Sequence, residues 1–178
     1  GQLGIHPDKI RQYPVLLTYD FEGNIFPTYY YFTQVSYGDA ENISNHPMLL
    51  AFSLDNRVRP RTLFLKLNGI SDTGITIITA YSPSKFFGYI LYKDLTELSY
   101  SRFEAEYKGK LKALKDSESR ISACFPRNSF GLTKMLKAGF VWLSIYCDEY
   151  AIAKKQQEPQ KAEELAKKID SQIEQVLG

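Results

Sequence analysis

The first 65 residues of the chain contain one pattern twice, and the second copy begins 33 residues after the first. The copies run from Ile10 to Phe32 and from Ile43 to Leu65. Five aligned pairs are identical: Ile10 and Ile43, Pro14 and Pro47, Leu16 and Leu49, Leu17 and Leu50, and Pro27 and Pro60. A fixed period of this length is typical of stacked helical units, because none of them can bury its apolar face alone.

Each copy reads as a helix, a tight turn and a second helix. The residue before a proline is pushed out of the helical region, so Pro14 and Pro47 each end a short first helix. The Pro-x-Leu-Leu run that follows predicts a compact 3₁₀ turn. Asp20 and Ser53 supply N-cap side chains for the second helix, and the second proline of each copy suits its first turn. Gly69 then ends the second copy as a helix C-cap.

The period also predicts how the units contact one another. We expect both leucines of each Pro-x-Leu-Leu run, Leu16–Leu17 and Leu49–Leu50, to be buried at equivalent places, since a repeat requires the same contact between units. A partial third unit follows, with an apolar segment at residues 75–78 and a serine-led, phenylalanine-rich helix at residues 82–90.

This pattern resembles the repeat of the mitochondrial transcription termination factor (mTERF) family. That repeat has a leucine-glycine-leucine opening, an isoleucine helix, Pro-x-Leu-Leu and then Ser-Leu-Glu-x-Arg-Ile-x-Pro-Arg. Residues 52–61 match the last stretch closely, whereas residues 20–28 match it in outline and lack its arginines. The ankyrin and tetratricopeptide signatures are absent. The resemblance covers about residues 3–92 and implies an all-α fold, with a short right-handed α-solenoid of two to three mTERF-like repeats.

The rest of the chain reads as a helical C-terminal extension. We expect mTERF-like repeats at residues 1–92, a basic helical extension at 93–153, and a polar linker with an amphipathic helix at 154–178. Gly139 is expected to interrupt the middle helices, and residues 142–146 fit a strand as well as a helix.

The last helix carries an apolar stripe that needs a covering surface in this chain or in another protein. We expect it to dock on a partner protein, as amphipathic helices do. The stripe consists of Leu165, Ile169, Ile173 and Val176.

Residues that carry enzyme chemistry are scarce. The two histidines, His6 and His46, and the two cysteines, Cys124 and Cys147, form no cluster with metal-ligand spacing. The chain has no phosphate-cradling glycine loop, and nothing in the sequence indicates a base that would activate Cys124. We therefore predict a protein that is not an enzyme and that needs no metal or other cofactor.

Positive charge is concentrated in the middle of the chain. Residues 1–71 hold six basic and six acidic groups, whereas residues 85–137 hold eleven basic and six acidic groups. The arginines around Pro60 are candidates for phosphate contact, because one guanidinium group can donate two parallel hydrogen bonds to the oxygens of a phosphate. The mTERF resemblance also implies that they face a nucleic-acid groove. An ordinary solvated face is the alternative. The candidates are Arg57, Arg59, Arg61, Lys66, Lys108, Lys110, Lys112 and Lys115.

The resemblance implies a role in organellar gene expression, in transcription, RNA maturation or ribosome function. We expect a non-catalytic protein that binds RNA or double-stranded DNA through the phosphate backbone, in the mitochondrial matrix rather than the chloroplast stroma. Two alternatives stay open: a structural subunit of an organellar ribosome, docked on rRNA and neighbouring proteins, or a pure protein-binding scaffold. No apolar run is long enough to span a bilayer, so we expect no membrane partner. Because the chain begins at Gly1 without methionine, we expect a processed or incomplete product.

Overall fold

The computed structural model describes residues 2–177, and within this range it contains helices and helical turns but no β-strand. The all-α expectation is therefore confirmed, and residues 142–146 are helical. The nine α-helices of the described range are α1 (Pro7–Arg11), α2 (Phe26–Tyr30), α3 (Ala40–Asn45), α4 (Arg59–Leu67), α5 (Ile75–Thr79), α6 (Pro83–Tyr92), α7 (Glu97–Ser122), α8 (Phe130–Lys155) and α9 (Pro159–Leu177).

The 33-residue period of the sequence is also a period of the helical elements. Each copy contains a short helix, a 3₁₀ turn, a π-helical turn and a further helix, with α1 and α2 in the first copy and α3 and α4 in the second. The 3₁₀ turns span Pro14–Thr18 and Pro47–Ala51, as the Pro-x-Leu-Leu runs predict. The π-helical turns, Phe21–Ile25 and Leu54–Val58, also recur at this spacing.

The second proline of each copy lies one turn further into its helix than the sequence predicts. The side chain of Asp20 caps the helix where we expect, but a π-helical turn then precedes Pro27. In this turn the N–H of Phe26 donates to the carbonyl of Phe21, five residues back. Proline has no N–H, and its ring crowds the carbonyl of the preceding turn. The wider π turn therefore accommodates the proline inside a helix, and the second copy repeats the arrangement.

The two Pro-x-Leu-Leu runs bury different leucines, so the expectation of equivalent burial is wrong. Leu50 is 2% exposed, whereas its counterpart Leu17 is 73% exposed. Leu16 is buried and its counterpart Leu49 is half-buried. The 3₁₀ turn of the second copy packs on that of the first. Leu17 and Leu50 both border an open apolar groove of about 310 Å³, but only Leu50 is buried.

The third unit is present only in part. Ser82 caps α6 by accepting a hydrogen bond from the N–H of Lys85 at 3.3 Å, as the caps of the two full copies do. No Pro-x-Leu-Leu turn separates α5 from α6. Gly69, with a φ of 77°, ends α4 as predicted, and its N–H donates to the carbonyl of Lys66. This left-handed conformation favours glycine because a side chain would crowd the backbone.

The chain forms two compact units, and the division lies inside α7, between Lys108 and Gly109. This division differs from the boundaries that the sequence predicts after residues 92 and 153. In the second unit, α8 continues through Gly139, which corrects the expectation of a break there. A Cβ atom at Gly139 would lie 2.9 Å from Cγ2 of Val176 on α9. The glycine therefore permits a close approach of α8 and α9.

Helix α9 packs on α8 of the same chain, which corrects the expectation that its stripe docks on a partner protein. Residues 156–158 alone join the two helices, so the expected polar linker is a tight turn. Leu165 is buried in an apolar cluster with Ala153 and Ala162. The remaining stripe residues are less covered: Ile169 and Val176 are half-buried and Ile173 is exposed.

Candidate nucleic-acid interface

The predicted phosphate-binding arginines lie in the turn before α4 and in its first residues, and two of the three are buried. Arg59 is 2% exposed, Arg61 is 5% exposed and Arg57 is half-buried. A buried guanidinium group is stable only when its N–H donors have acceptors and its charge has partners. The contacts of these arginines therefore define their role.

Arg57 and Arg61 bind the carbonyl end of α5. Nη1 of Arg61 donates to the carbonyl oxygens of Ile77 at 3.2 Å and of Tyr81 at 2.8 Å. Nη1 of Arg57 donates to the carbonyl oxygen of Thr79 at 2.9 Å. The last carbonyl groups of a helix have no partner within the helix. The two arginines supply donors there and so attach α5 to the second copy.

Arg59 connects α4 to other parts of the first unit. Its Nη1 atom lies 3.1 Å from Oδ1 of Asp55, one turn earlier. Its guanidinium carbon lies 5.8 Å from the ring centroid of Tyr31 and 5.6 Å from that of Tyr107. Contacts between a desolvated cation and aromatic faces are stabilising. These contacts account for a fully buried arginine without any external anion.

The expectation that Arg59 and Arg61 face a phosphate backbone is therefore corrected. Their guanidinium groups point at protein carbonyl, carboxylate and aromatic groups, and almost none of their surface reaches solvent. Burial lowers the pKa of Arg61, because desolvation disfavours its charged form. The ring of Phe86, whose centroid is 4.5 Å from the guanidinium carbon of Arg61, covers it on one side.

Two tyrosines of the first unit also have shifted pKa values, and of these Tyr100 is buried and Tyr37 is half-buried. Tyr100 donates a hydrogen bond to Oε2 of Glu104 at 2.6 Å, and burial together with this bond raises the pKa of Tyr100 far above its usual value. Tyr37 donates to the carbonyl of Ile70, and burial raises the pKa of Tyr37 in the same way. Lys66 is half-buried, and its Nζ atom lies 5.0 Å from the ring centroid of Tyr37. Lys66, near the end of α4, is thus packed against Tyr37.

The lysines of α7 are the predicted residues that solvent reaches best. Lys108 is half-buried in the first unit, and its Nζ atom lies 3.3 Å from Oε1 of Glu104. Lys110, Lys112 and Lys115 are exposed in the second unit. Lys112 and Lys115 share one face of α7, because helical residues three apart are neighbours. No acidic residue occurs between positions 107 and 115, so four lysines follow one another there without an intervening carboxylate.

Sequence reasoning missed the carbonyl-binding role of the arginines, although the comparison of the two copies contained a signal for it. The first copy has Asn24, Phe26 and Thr28 at the positions of the three arginines. The unit after the first copy has a Pro-x-Leu-Leu turn, and the unit after the second has none. The arginines therefore occur where the next unit attaches without that turn.

The described residues contain no group of three histidine, cysteine, aspartate or glutamate side chains that could hold a metal ion. Among the helices in residues 2–177, none is both long enough and apolar enough to cross a membrane. Comparison of the chain with protein-family models, with curated proteins and with solved structures finds no match.

Proposed function

We propose that the chain is a non-catalytic nucleic-acid-binding protein of the mTERF type that acts in organellar gene expression. Its repeats then stack as a short right-handed α-solenoid. The period of the elements supports this proposal, because the 3₁₀ turns and the π-helical turns Phe21–Ile25 and Leu54–Val58 recur after 33 residues. The mitochondrial matrix is the proposed location, and it follows from the family resemblance of residues 52–61.

The observation that carries the proposed activity is the exposed lysines of α7, in a segment without aspartate or glutamate between positions 107 and 115. Lys110, Lys112 and Lys115 present ammonium groups to solvent, and such groups bind phosphate oxygens and release counterions from nucleic acid. With Arg59 and Arg61 buried, the proposed phosphate contacts lie on these lysines. A backbone contact of this kind does not by itself distinguish RNA from double-stranded DNA.

A second candidate function is that of a structural subunit of an organellar ribosome. Residues 1–71 carry no net charge, and two of their six basic side chains are buried arginines. The repeat region therefore offers little electrostatic attraction for nucleic acid, which favours a fixed position in an assembly over reversible binding to a nucleic-acid backbone. Co-sedimentation of the protein with organellar ribosomes in high salt supports this candidate, and recovery with nucleoids supports the first.

The test of nucleic-acid binding uses Lys110→Gln, Lys112→Gln and Lys115→Gln in one variant. We expect weaker binding to single-stranded RNA and duplex DNA, and a salt dependence whose slope falls by about 0.7–0.9 for every phosphate that the variant no longer neutralises. The matched control changes Lys154, Lys155 and Lys167 to glutamine, which removes the same charge from other exposed positions. Equal affinities and slopes for the two variants would contradict the proposal.

A further inference from the structure

The open apolar groove of the first unit lies on the first copy of the repeat. Its volume is about 310 Å³, and no charged side chain in residues 2–177 lines it. We call it the Leu17 groove, and its lining includes Ile5, Ile10, Leu16, Leu17, Phe21 and Leu50. A groove without charged residues suits an apolar occupant.

The groove side of the first copy is more exposed than the aligned residues of the second copy. Leu17 is 73% exposed, whereas its counterpart Leu50 is 2% exposed. Phe21 is 39% exposed, whereas its counterpart Leu54 is half-buried. Tyr19 also lines the groove and is 37% exposed. Three large side chains around one groove are therefore in contact with water, and covering their apolar surface would be favourable.

The chain itself shows what kind of segment packs on this turn. The 3₁₀ turn Pro47–Ala51 packs on the 3₁₀ turn Pro14–Thr18, and both have the sequence Pro-x-Leu-Leu. Leu50 of the later turn borders the Leu17 groove, so the groove continues from an existing contact between two such turns. A further Pro-x-Leu-Leu turn therefore has the chemistry to extend this packing.

We propose that the Leu17 groove is the contact site between two molecules of this chain. In a twofold dimer Leu17 of each molecule enters the groove of the other, so both molecules bury the same surface. Every molecule supplies both the groove and a Pro-x-Leu-Leu turn of the kind that packs beside it. The uncharged lining favours this pairing, because two identical grooves bring no like charges together.

The expected dimer is weak and depends on concentration. A groove of about 310 Å³ accommodates only a few side chains, whereas a stable interface contains about 20–30 residues a side. The dimer should therefore dissociate on dilution, and unfolding of the dilute protein reports the monomer. The proposal does not rest on the proposed nucleic-acid function, because it uses none of the α7 lysines.

Sedimentation velocity of the full chain from about 1 to 300 μM tests the proposal. The unchanged chain should be a monomer of 20.4 kDa at the low end and should approach twice this mass at the high end. Leu17→Glu should weaken dimerisation about 100-fold, because each dimer loses two buried leucines and gains two carboxylates in an apolar contact.

The matched control is Leu91→Glu, since Leu91 is 70% exposed and lies outside the groove. This variant should dimerise as the unchanged chain does, and circular dichroism should show the same helix content for both variants. A chain that stays monomeric over the whole range, or equal dimerisation of the two glutamate variants, would overturn the proposal. If the chain is monomeric and binds the dye anilinonaphthalene sulfonate, and Leu17→Glu abolishes this binding, the groove is a site for a small apolar molecule instead.

A second readout locates the contact on the unchanged chain. Raising the protein concentration through the dimerisation range should slow amide hydrogen exchange within residues 14–21 and leave exchange within residues 86–98 unchanged. This measurement needs no substitution, so it is independent of any effect of Leu17→Glu on folding. Slower exchange in other segments, with none in residues 14–21, would contradict the proposed site.

Discussion

At the scale of single residues, arginines of the second copy donate hydrogen bonds to carbonyl groups at the end of a helix, where the helix itself supplies no donor. Arg61 donates to two carbonyl oxygens beyond and within α5, and Arg57 donates to a third. Arginine suits this role because its planar fork presents several donors at once, whereas lysine presents a single ammonium group. Arginine often binds phosphate, but here it holds helices together inside the protein through hydrogen bonds to carbonyl oxygens.

Replacing Arg61 by leucine should lower the free energy of unfolding by about 2–4 kcal/mol, because the carbonyl groups of Ile77 and Tyr81 lose their buried donor. Arg61→Lys should fall between this variant and the unchanged chain. Urea unfolding followed by circular dichroism measures the difference. Arg102→Leu, at an exposed position, is the control and should change the free energy by less than about 0.5 kcal/mol. Equal midpoints for the two leucine variants would show that Arg61 is not a structural contact.

Alkaline pH should destabilise the protein through Tyr37 and Tyr100. Burial raises the pKa of both tyrosines in the folded state, whereas in the unfolded chain each has a pKa of about 10. Their stabilising contribution is therefore complete below about pH 10 and is lost as the pH rises further, because only the unfolded state releases these protons. Tyrosinate absorbance and unfolding midpoints measured over this range test it. Tyr100→Phe should make the fall in stability less steep, and an unchanged slope would contradict this explanation.

At the scale of elements, the two 3₁₀ turns offer a test of unit stacking, because the repeat places equivalent leucines in different environments. Leu50→Ala should lower the free energy of unfolding by about 2–5 kcal/mol, since Leu50 is buried. Leu17→Ala is the matched control and should have little effect, since Leu17 is mostly exposed. Comparison of the urea unfolding midpoints of the two variants with that of the unchanged chain measures these effects. If Leu17→Ala were as destabilising as Leu50→Ala, the two turns would not be covered differently.

Sequence reasoning located the elements of the repeat because their signals are local. A proline after a short helix, an Asp20 or Ser53 cap and a glycine such as Gly69 each act within a few residues of their own position. The π-helical turns escaped prediction because Pro27 and Pro60 suit a first turn equally well on local grounds. The different burial of Leu17 and Leu50 depends on a neighbouring unit, which no local pattern contains.

The candidate site was predicted less well, for a related reason. Exposed lysines such as Lys112 follow from their position on the polar face of an amphipathic helix. The burial of Arg59 depends on Tyr31 and Tyr107, which are distant in sequence. Similarly, the stripe around Leu165 looked unpartnered because its cover lies on α8, and Gly139, read as a helix breaker, in fact permits that contact.

At the scale of the whole molecule, the two compact units carry different surfaces. The first contains the repeats, and its central arginines are used to hold helices together. The second begins at Gly109 and contains the exposed lysines Lys110, Lys112 and Lys115. We therefore assign a structural role to the arginines of the first unit and the proposed phosphate contacts to the lysines of the second.

Photochemical crosslinking of the full chain to single-stranded RNA, followed by mass spectrometry of the crosslinked peptides, tests this assignment most directly. We predict crosslinks within residues 108–115, and their disappearance in the variant with Lys110, Lys112 and Lys115 changed to glutamine. Peptides that contain Arg59 and Arg61 should carry no crosslink, because these side chains are buried. Crosslinks concentrated on residues 57–66, and retained in the lysine variant, would contradict the assignment.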